Sequence, residues 1–415
     1  MASRIVLLSV LALLACGDKR RGGTVGTEPP GVIAESAPTP GDSATLPPAA
    51  PSAPPSTPTS KHWVTGYYAA YQRASLPPSQ IDWSGLSHIV FTRLKTEGGG
   101  RLLFDFDIDP TNGPALAREV ASRAHQNGKK ALLMLGGEGT GGGIKDSASD
   151  THRAAFVEEL LRAVKILGYD GLDLDWEDGI DYDLFIALAR ALRSSPNAPP
   201  GLILTVPGLT VNRNYQTVDP KIATLVQSLD QYNLMSYYPA TAYAGTGWLS
   251  WHNCPLTGAK LMTPVAIDDS LLRYVRAGVP REKLGLGVAF YAICYTGSVT
   301  APNLNTMFGT SIQGGDNDFP LSALFGAQGA FDPKHRHWDA EAQVPYLSLP
   351  EPERHGCRYV SFEDEQSLVQ KGNFVRSEGY GGVIVWTINQ GYIGPGGKLP
   401  PNALTQALKR GFLDP

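Results

Sequence analysis

Two hydrophobic periods take turns along this chain. Short apolar and β-branched runs recur at residues 64–69, 87–94, 130–137, 171–177, 202–207, 232–237, 284–291 and 382–387, and each reads as a strand. Between several of them apolar residues recur three and four apart. Residues 115–126 form one such helix, stopped by Gly128. A second runs to Leu167 with Asp150 as its expected cap, and others are expected from Asp181 to Leu192 and over residues 267–277 and 362–378. The run Lys130-Ala131-Leu132-Leu133-Met134-Leu135 is almost continuously apolar, as a strand buried on both faces should be. Eight strands separated mostly by helices predict an α/β chain closed into a (β/α)8 barrel of the TIM type. An open doubly wound sheet is the alternative, weakened because no Gly-rich phosphate loop follows the first strand. Between residues 292 and 359 the pattern is irregular, so a small insertion between strands seven and eight, over the barrel mouth, is expected.

The fourth strand breaks the apolar rule. In Gly168-Tyr169-Asp170-Gly171-Leu172-Asp173-Leu174-Asp175-Trp176-Glu177 the alternation puts Leu172, Leu174 and Trp176 on one face and Asp173, Asp175 and Glu177 on the other. A packed interior could not hold three ionised carboxylates cheaply. At least one proton should be retained and at least one pKa raised, which makes a proton donor near neutral pH. A solvent-facing acidic edge strand is the plainer reading, but Ile166 and Leu167 lead straight into the run. A carboxylate metal site is another, but no Asn- or Gly-punctuated calcium loop follows. Trp176, facing away from the acids, should be core. In a barrel the chemistry sits at the carboxyl ends of the strands, so Glu177, Tyr237 and Trp386 should converge on one mouth.

The ends of the 415-residue chain change the domain picture. Arg4, an apolar run from Ile5 to Leu14 and small residues before Cys16 fit a signal segment of lipoprotein type over residues 1–15, with Cys16 as the lipidated residue; an ordinary signal peptide is the alternative. Residues 16–60 then turn to Pro, Ala, Ser and Thr, which cannot bury enough apolar surface to offset chain entropy, and read as a linker. Residues 61–415 remain for one elaborated barrel. The chain is expected to be exported and held on a bacterial membrane by lipid alone, or else secreted. A formal net charge of −4, with no basic block beyond Lys19-Arg20-Arg21, excludes nucleic acid as an expected partner. Cys254, Cys294 and Cys357 allow one disulfide with one thiol left over, the pairing open.

The complete DGxDxDxE run from Asp170 to Glu177 resembles the signature strand of the family 18 glycoside hydrolases, the chitinase family. Elsewhere the likeness is looser. Leu133-Met134-Leu135-Gly136-Gly137 is similar to SxGG with Met134 where serine is usual, and Met235-Ser236-Tyr237-Tyr238 is similar to MxYD with Tyr238 in place of the acid. Gly136, Gly137 and Asp170 support the motif rather than the chemistry. The resemblance implies retaining, substrate-assisted hydrolysis of a β-1,4 bond next to N-acetylglucosamine in chitin or chitooligosaccharides, a mechanism outside the usual two-carboxylate scheme. It implies Glu177 as acid and base, Asp175 as partner of the acetamido N–H, Asp173 sharing a proton with Asp175, and Tyr237 holding the acetamido oxygen. It implies no metal and no organic cofactor.

Sugar rings have apolar faces, so aromatic residues should line the cleft. Trp386 is expected as the floor, with Tyr67 and Met235 beside it and with Trp248 and Trp251 touching outlying sugars; His252, with no evident partner, should be structural. A monomer is expected. An endo-β-N-acetylglucosaminidase acting on glycoprotein glycans or peptidoglycan shares this chemistry. A lectin-like binder shares the barrel, but such relatives typically lose the glutamate kept here at Glu177.

Overall fold

The computed structural model describes residues 61–211, 217–239 and 247–414. The expected signal segment, Cys16 and the linker through residue 60 lie outside the described residues. Seven parallel strands come first: β1 Trp63–Ala69, β2 His88–Leu94, β3 Lys130–Gly136, β4 Gly171–Asp175, β5 Ile203–Leu209, β6 Gln231–Met235 and β7 Leu284–Ala289. Five short strands follow, β8 Ile293–Thr296, β9 Ile312–Gly314, β10 Arg336–Asp339, β11 Val344–Ser348 and β12 Cys357–Ser361, and then β13 Gly382–Trp386. β1 to β7 and β13 close into a barrel, β13 pairing in parallel with both β1 and β7. The eight-stranded expectation therefore holds, and the open sheet is excluded.

Helices surround the barrel: α1 Asn112–Gln126, α2 Gly141–Ser147, α3 Arg153–Leu167, α4 Tyr182–Ser194, α5 Lys221–Leu225, α6 Ile267–Arg276, α7 Leu321–Leu324, α8 Glu365–Glu378 and α9 Ala403–Leu408. Leu172, Leu174 and Trp176 belong to the core between barrel and helices, with the Trp176 ring 5.4 Å from that of Phe185 on α4. Asp181 caps α4 as expected by accepting from Leu184 N–H. Asp150 does not cap α3. His152 holds that position, and Asp150 pairs instead with Arg153. The difference comes from α2, whose three leading glycines disfavour a helix on propensity alone. They are required by packing: a Cβ on Gly141 would lie 1.8 Å from the Asp178 carbonyl oxygen and one on Gly143 2.0 Å from that of Thr96. Among the described residues no helix is long and apolar enough to cross a membrane.

Inside the barrel the layers differ. Near the amino ends of the strands, Trp63 Nε1 donates to Asn233 Oδ1 (2.8 Å) and Thr65 Oγ1 to Gln231 Oε1 (3.1 Å). Above them Tyr67, Val90, Leu132, Met134 and Ile384 form a small apolar cluster. Asp170 stays at the lower end, accepting from Lys130 Nζ (2.8 Å), His125 Nε2 (2.8 Å) and the Ala131 N–H (2.9 Å), and so fixes the start of β4.

The stretch between β7 and β13 is more regular than its sequence suggests. It contains an antiparallel sheet in the order β10-β11-β12-β8-β9. Cys294 on β8 and Cys357 on β12 form the disulfide, and Cys254 is the buried free thiol. His252 is structural but not partnerless: Nε2 lies 2.9 Å from Asp339 Oδ2 and Nδ1 2.9 Å from the Tyr359 hydroxyl, tying the loop after β6 to the inserted sheet.

Candidate active site

β4 ends at Asp175, but its alternation continues two residues further, so Glu177 stands on the loop just above the strand on the face of Asp173 and Asp175. Two glycines make room for this. Gly136 pairs with Asp175 across the β3–β4 seam and sits at φ 108°, where a Cβ would be 2.1 Å from the Asp175 carbonyl oxygen. Gly137, at φ 93°, donates its N–H to that same oxygen at 2.8 Å. Side chains at either position would separate the strands or strain the turn.

The three acids form one column. Asp173 is fully buried and accepts from the Tyr67 hydroxyl (2.7 Å) and from Thr205 Oγ1. Burial pushes its pKa up to about 6, against the pull of those two hydroxyls. Asp175, 3% exposed, is raised well above the usual carboxylate range by burial and by the neighbouring Glu177 and Asp173, with Arg93 opposing. Burial also raises Glu177, although its hydrogen bonds with Asp175 and with the Glu138 N–H pull the other way. A proton is thus held within the Asp175–Glu177 pair, and the pair titrates as a unit. Asp175 Oδ1 is buried with no hydrogen-bond partner among the described residues. An orphaned acceptor in such a position is costly unless a ligand brings a donor to it.

The column opens into a cavity of about 540 Å³ lined by Tyr67, Tyr71, Thr92, Arg93, Asp107, Met134, Gly137, Glu138, Asp175, Glu177, Pro207, Met235, Tyr237, Tyr238, Tyr291, Asp316 and Trp386. Sequence reasoning placed Glu177, Asp175, Tyr237, Trp386, Met235 and Tyr67 here, and the structure brings them together. Trp386 ends β13, and its indole N–H donates to Asp316, which also accepts from Gln390 Nε2 (2.6 Å). Burial and the nearby Glu177 and Asp175 raise the Tyr237 phenol, so it remains a neutral donor. Tyr67 is 2% exposed, 5.4 Å from Trp386 by ring centroid, and its hydroxyl is spent on Asp173, so it holds the acid column more than it offers a sugar-binding surface.

Two expected contacts are corrected. Trp251 is 1% exposed, packs on Ala342 and Val344 beneath the inserted sheet and donates its indole N–H to the Val265 carbonyl (3.2 Å). Trp248 is 8% exposed and is absent from the cavity lining among the described residues. After Tyr237 and Tyr238, which line the cavity, the described part of the chain from residue 247 packs toward the insertion, where Leu249 bridges to Asn305. Met134 fills the cavity wall at 2% exposure. Tyr238, where the resembled motif has an acid, sits at φ 59° with its ring edge-on to Tyr291.

Sequence reasoning missed Thr92, Arg93, Asp107, Glu138 and Asp316. The barrel rule pointed at the end of β2 and so at Thr92 and Arg93. Asp316 comes from the insertion, and nothing in its local pattern marks it.

A closed parallel barrel with a proton-sharing acid pair above its fourth strand and an indole at the end of its last has the form of a glycoside hydrolase. A family model described as Glycosyl hydrolases family 18 matches residues 64–391, and the chain belongs to that family. It is 27% identical over 336 residues to chitotriosidase-1 of Mus musculus, covering 75% of this chain and 68% of that protein. It is 27% identical over 294 residues to chitinase A1 of Niallia circulans, where 63% of this chain matches 40% of the relative, so the chain spans less than half of that protein's length. The fold is shared with the crystal structure of the Ostrinia furnacalis Group IV chitinase at a TM-score of 0.67 and 22% identity, covering 84% of this chain and 98% of that one. The protein is a chitinase-like hydrolase.

Proposed function

We propose that this protein hydrolyses β-1,4 linkages next to N-acetylglucosamine in chitin or chitooligosaccharides, with retention, using the substrate's own acetamido group. The observation that carries the reading is the unpartnered, buried Asp175 Oδ1 beside Glu177, with which Asp175 shares a proton, in a cavity also lined by Trp386. An acetamido N–H supplies the missing donor. Held there, the acetamido oxygen faces the anomeric carbon with Tyr237 as its donor. Glu177 gives its proton to the bridging oxygen as the glycosidic bond breaks, and the acetamido oxygen closes an oxazolinium ion. Asp175 balances the positive charge on that ring, and Asp173, fixed by Tyr67 and Thr205, keeps Asp175 in place. The Glu177 carboxylate then takes a proton from the water that opens the ring. The relatives named above, chitotriosidase-1 and chitinase A1, support chitin as the polymer.

Product analysis on chitin oligomers, peptidoglycan and a high-mannose glycopeptide tests the substrate. Cleavage of chitin oligomers with a β-configured product is expected. Activity confined to either of the other two overturns the chitin assignment, and binding to all without cleavage makes the protein a lectin.

The same proposal includes export and a lipid on Cys16, with ordinary secretion as the alternative. The Cys294–Cys357 disulfide supports passage through an oxidising compartment. Mass spectrometry of the mature N-terminus is expected to show an acylated Cys16, and an unmodified cysteine there rejects the anchor.

A further inference from the structure

Five carboxyl side chains line the cavity, from Asp107, Glu138, Asp175, Glu177 and Asp316, and Arg93 is the one cation among its described lining residues. Its guanidinium is held on two sides. Nε donates to Asp107 Oδ2 at 3.0 Å, while Nη1 reaches the carbonyl oxygens of Gly136 (3.3 Å) and Glu138 (3.4 Å). Those carbonyls belong to the turn that leaves β3, and the N–H of Glu138 in that turn donates to the Glu177 carboxyl. With Nε fixed on Asp107, the single nitrogen Nη1 is held where it bridges the carbonyls at both ends of the three-residue turn, a placement that a flexible ammonium holds less well.

The other side of Arg93 is built with equal care. Asp107 lies between Arg93 and Lys95, whose Nζ is 2.7 Å from Asp107 Oδ1. Phe106 and Asp107 are consecutive non-glycine residues in left-handed backbone, at φ 52° and 56°. Side chains are strained in that region, and such a pair persists only where surrounding contacts over-determine it. Phe106 supplies them: it is fully buried, with its ring 5.2 Å from Phe91. The strained turn therefore aims one carboxylate at the guanidinium that faces the acid pair.

We propose that Arg93 is a positioning residue for Glu177, acting through the turn from Gly136 to Glu138, and that Lys95 and Asp107 serve to aim it. The inference rests on the reading of Glu177 as the acid. The charged and titratable groups around that acid are Asp175 and Asp173 on β4, Asp178 on its own loop, Glu138 on the turn, and Tyr237 and Asp316 across the cavity, with Arg93, which opposes the charge of Asp175, the one cation among the described lining residues. Removing Arg93 acts twice in one direction. It leaves the acids without their cation and loosens the N–H that favours ionised Glu177, so the proton is held to higher pH and delivered from a poorer position.

Arg93→Met is expected to lower kcat on a chitooligosaccharide by about 10-fold or more with KM changed by less than about threefold, and to move the alkaline limb of kcat up by about half a pH unit or more. Arg93→Lys should restore the limb but only part of kcat, because one ammonium cannot span Asp107 and two carbonyls. A carboxyl 13C titration, with Glu177 assigned by its loss in Glu177→Gln, reads the same device without turnover and should shift up in Arg93→Met. Unchanged kcat and limb, or a loss confined to KM, overturns the proposal. Should the wild type not cleave chitooligosaccharides, the functional reading fails by itself; an unshifted Glu177 titration would then still reject the role of Arg93.

Discussion

Glu177→Gln should bind a chitooligosaccharide much as the wild type does and turn it over ~10²–10⁴-fold more slowly, the usual worth of a positioned general acid. The amide keeps the shape and can still accept from the Glu138 N–H, but it has no proton to give to the bridging oxygen. The wild-type pH profile carries the sign of the same group. Burial raises Glu177, so its protonated, active form is present below the folded pKa and is lost as pH rises through it. The alkaline limb should therefore lie above the range of a free carboxyl and be missing from the residual activity of the variant. Steady-state rates and calorimetric binding across pH check this, and undiminished turnover would remove Glu177 from the reaction.

Asp175→Asn should lower kcat by ~10²-fold or more, since it withdraws the charge placed against a developing cation. The isosteric amide preserves packing beneath Glu177, so unfolding should change little. A thiazoline analogue of the oxazolinium ion should inhibit the wild type and bind Asp175→Asn ~10-fold or more weakly, the scale of one lost hydrogen bond to a charged group. If the analogue fails to inhibit at high concentration, or binds both forms alike, the acetamido route is wrong even where Glu177 proves essential.

Much of this site was legible because a strand reports its own faces. Three acids at alternate positions of an otherwise buried segment carry their meaning without neighbours, and Trp386 and Tyr237 followed from the rule about strand ends. The failures have a common cause. Trp248 and Trp251 were assigned by composition of a loop, and a loop's direction is set by what it packs against, here the inserted sheet. His252 lacked a visible partner because Asp339 and Tyr359 lie 87 and 107 residues away. The glycines opening α2 argue against a helix until the carbonyls of Thr96 and Asp178 are seen pressing on them. Arg93 is a middle case: its place near the end of β2 marked it as a mouth residue, but the partners that hold its charge, Asp107 and the turn after β3, lie elsewhere in the chain.

The inserted sheet is more than a decoration on the barrel. It returns the carboxylate of Asp316 to the indole of Trp386, and the Asp318 carbonyl oxygen accepts from Arg354 at its rim. Its own disulfide staples β8 to β12, independently of the barrel seams. The roof is stapled within itself, yet Ile293, Tyr295, Tyr359 and Val360 share one continuous core with the barrel, so exchanging it also reaches the staves below. Any such exchange takes away the hydrogen-bond acceptor of the floor, so a chimera carrying a foreign roof keeps its acids and loses the orientation of the surface on which the sugar rests.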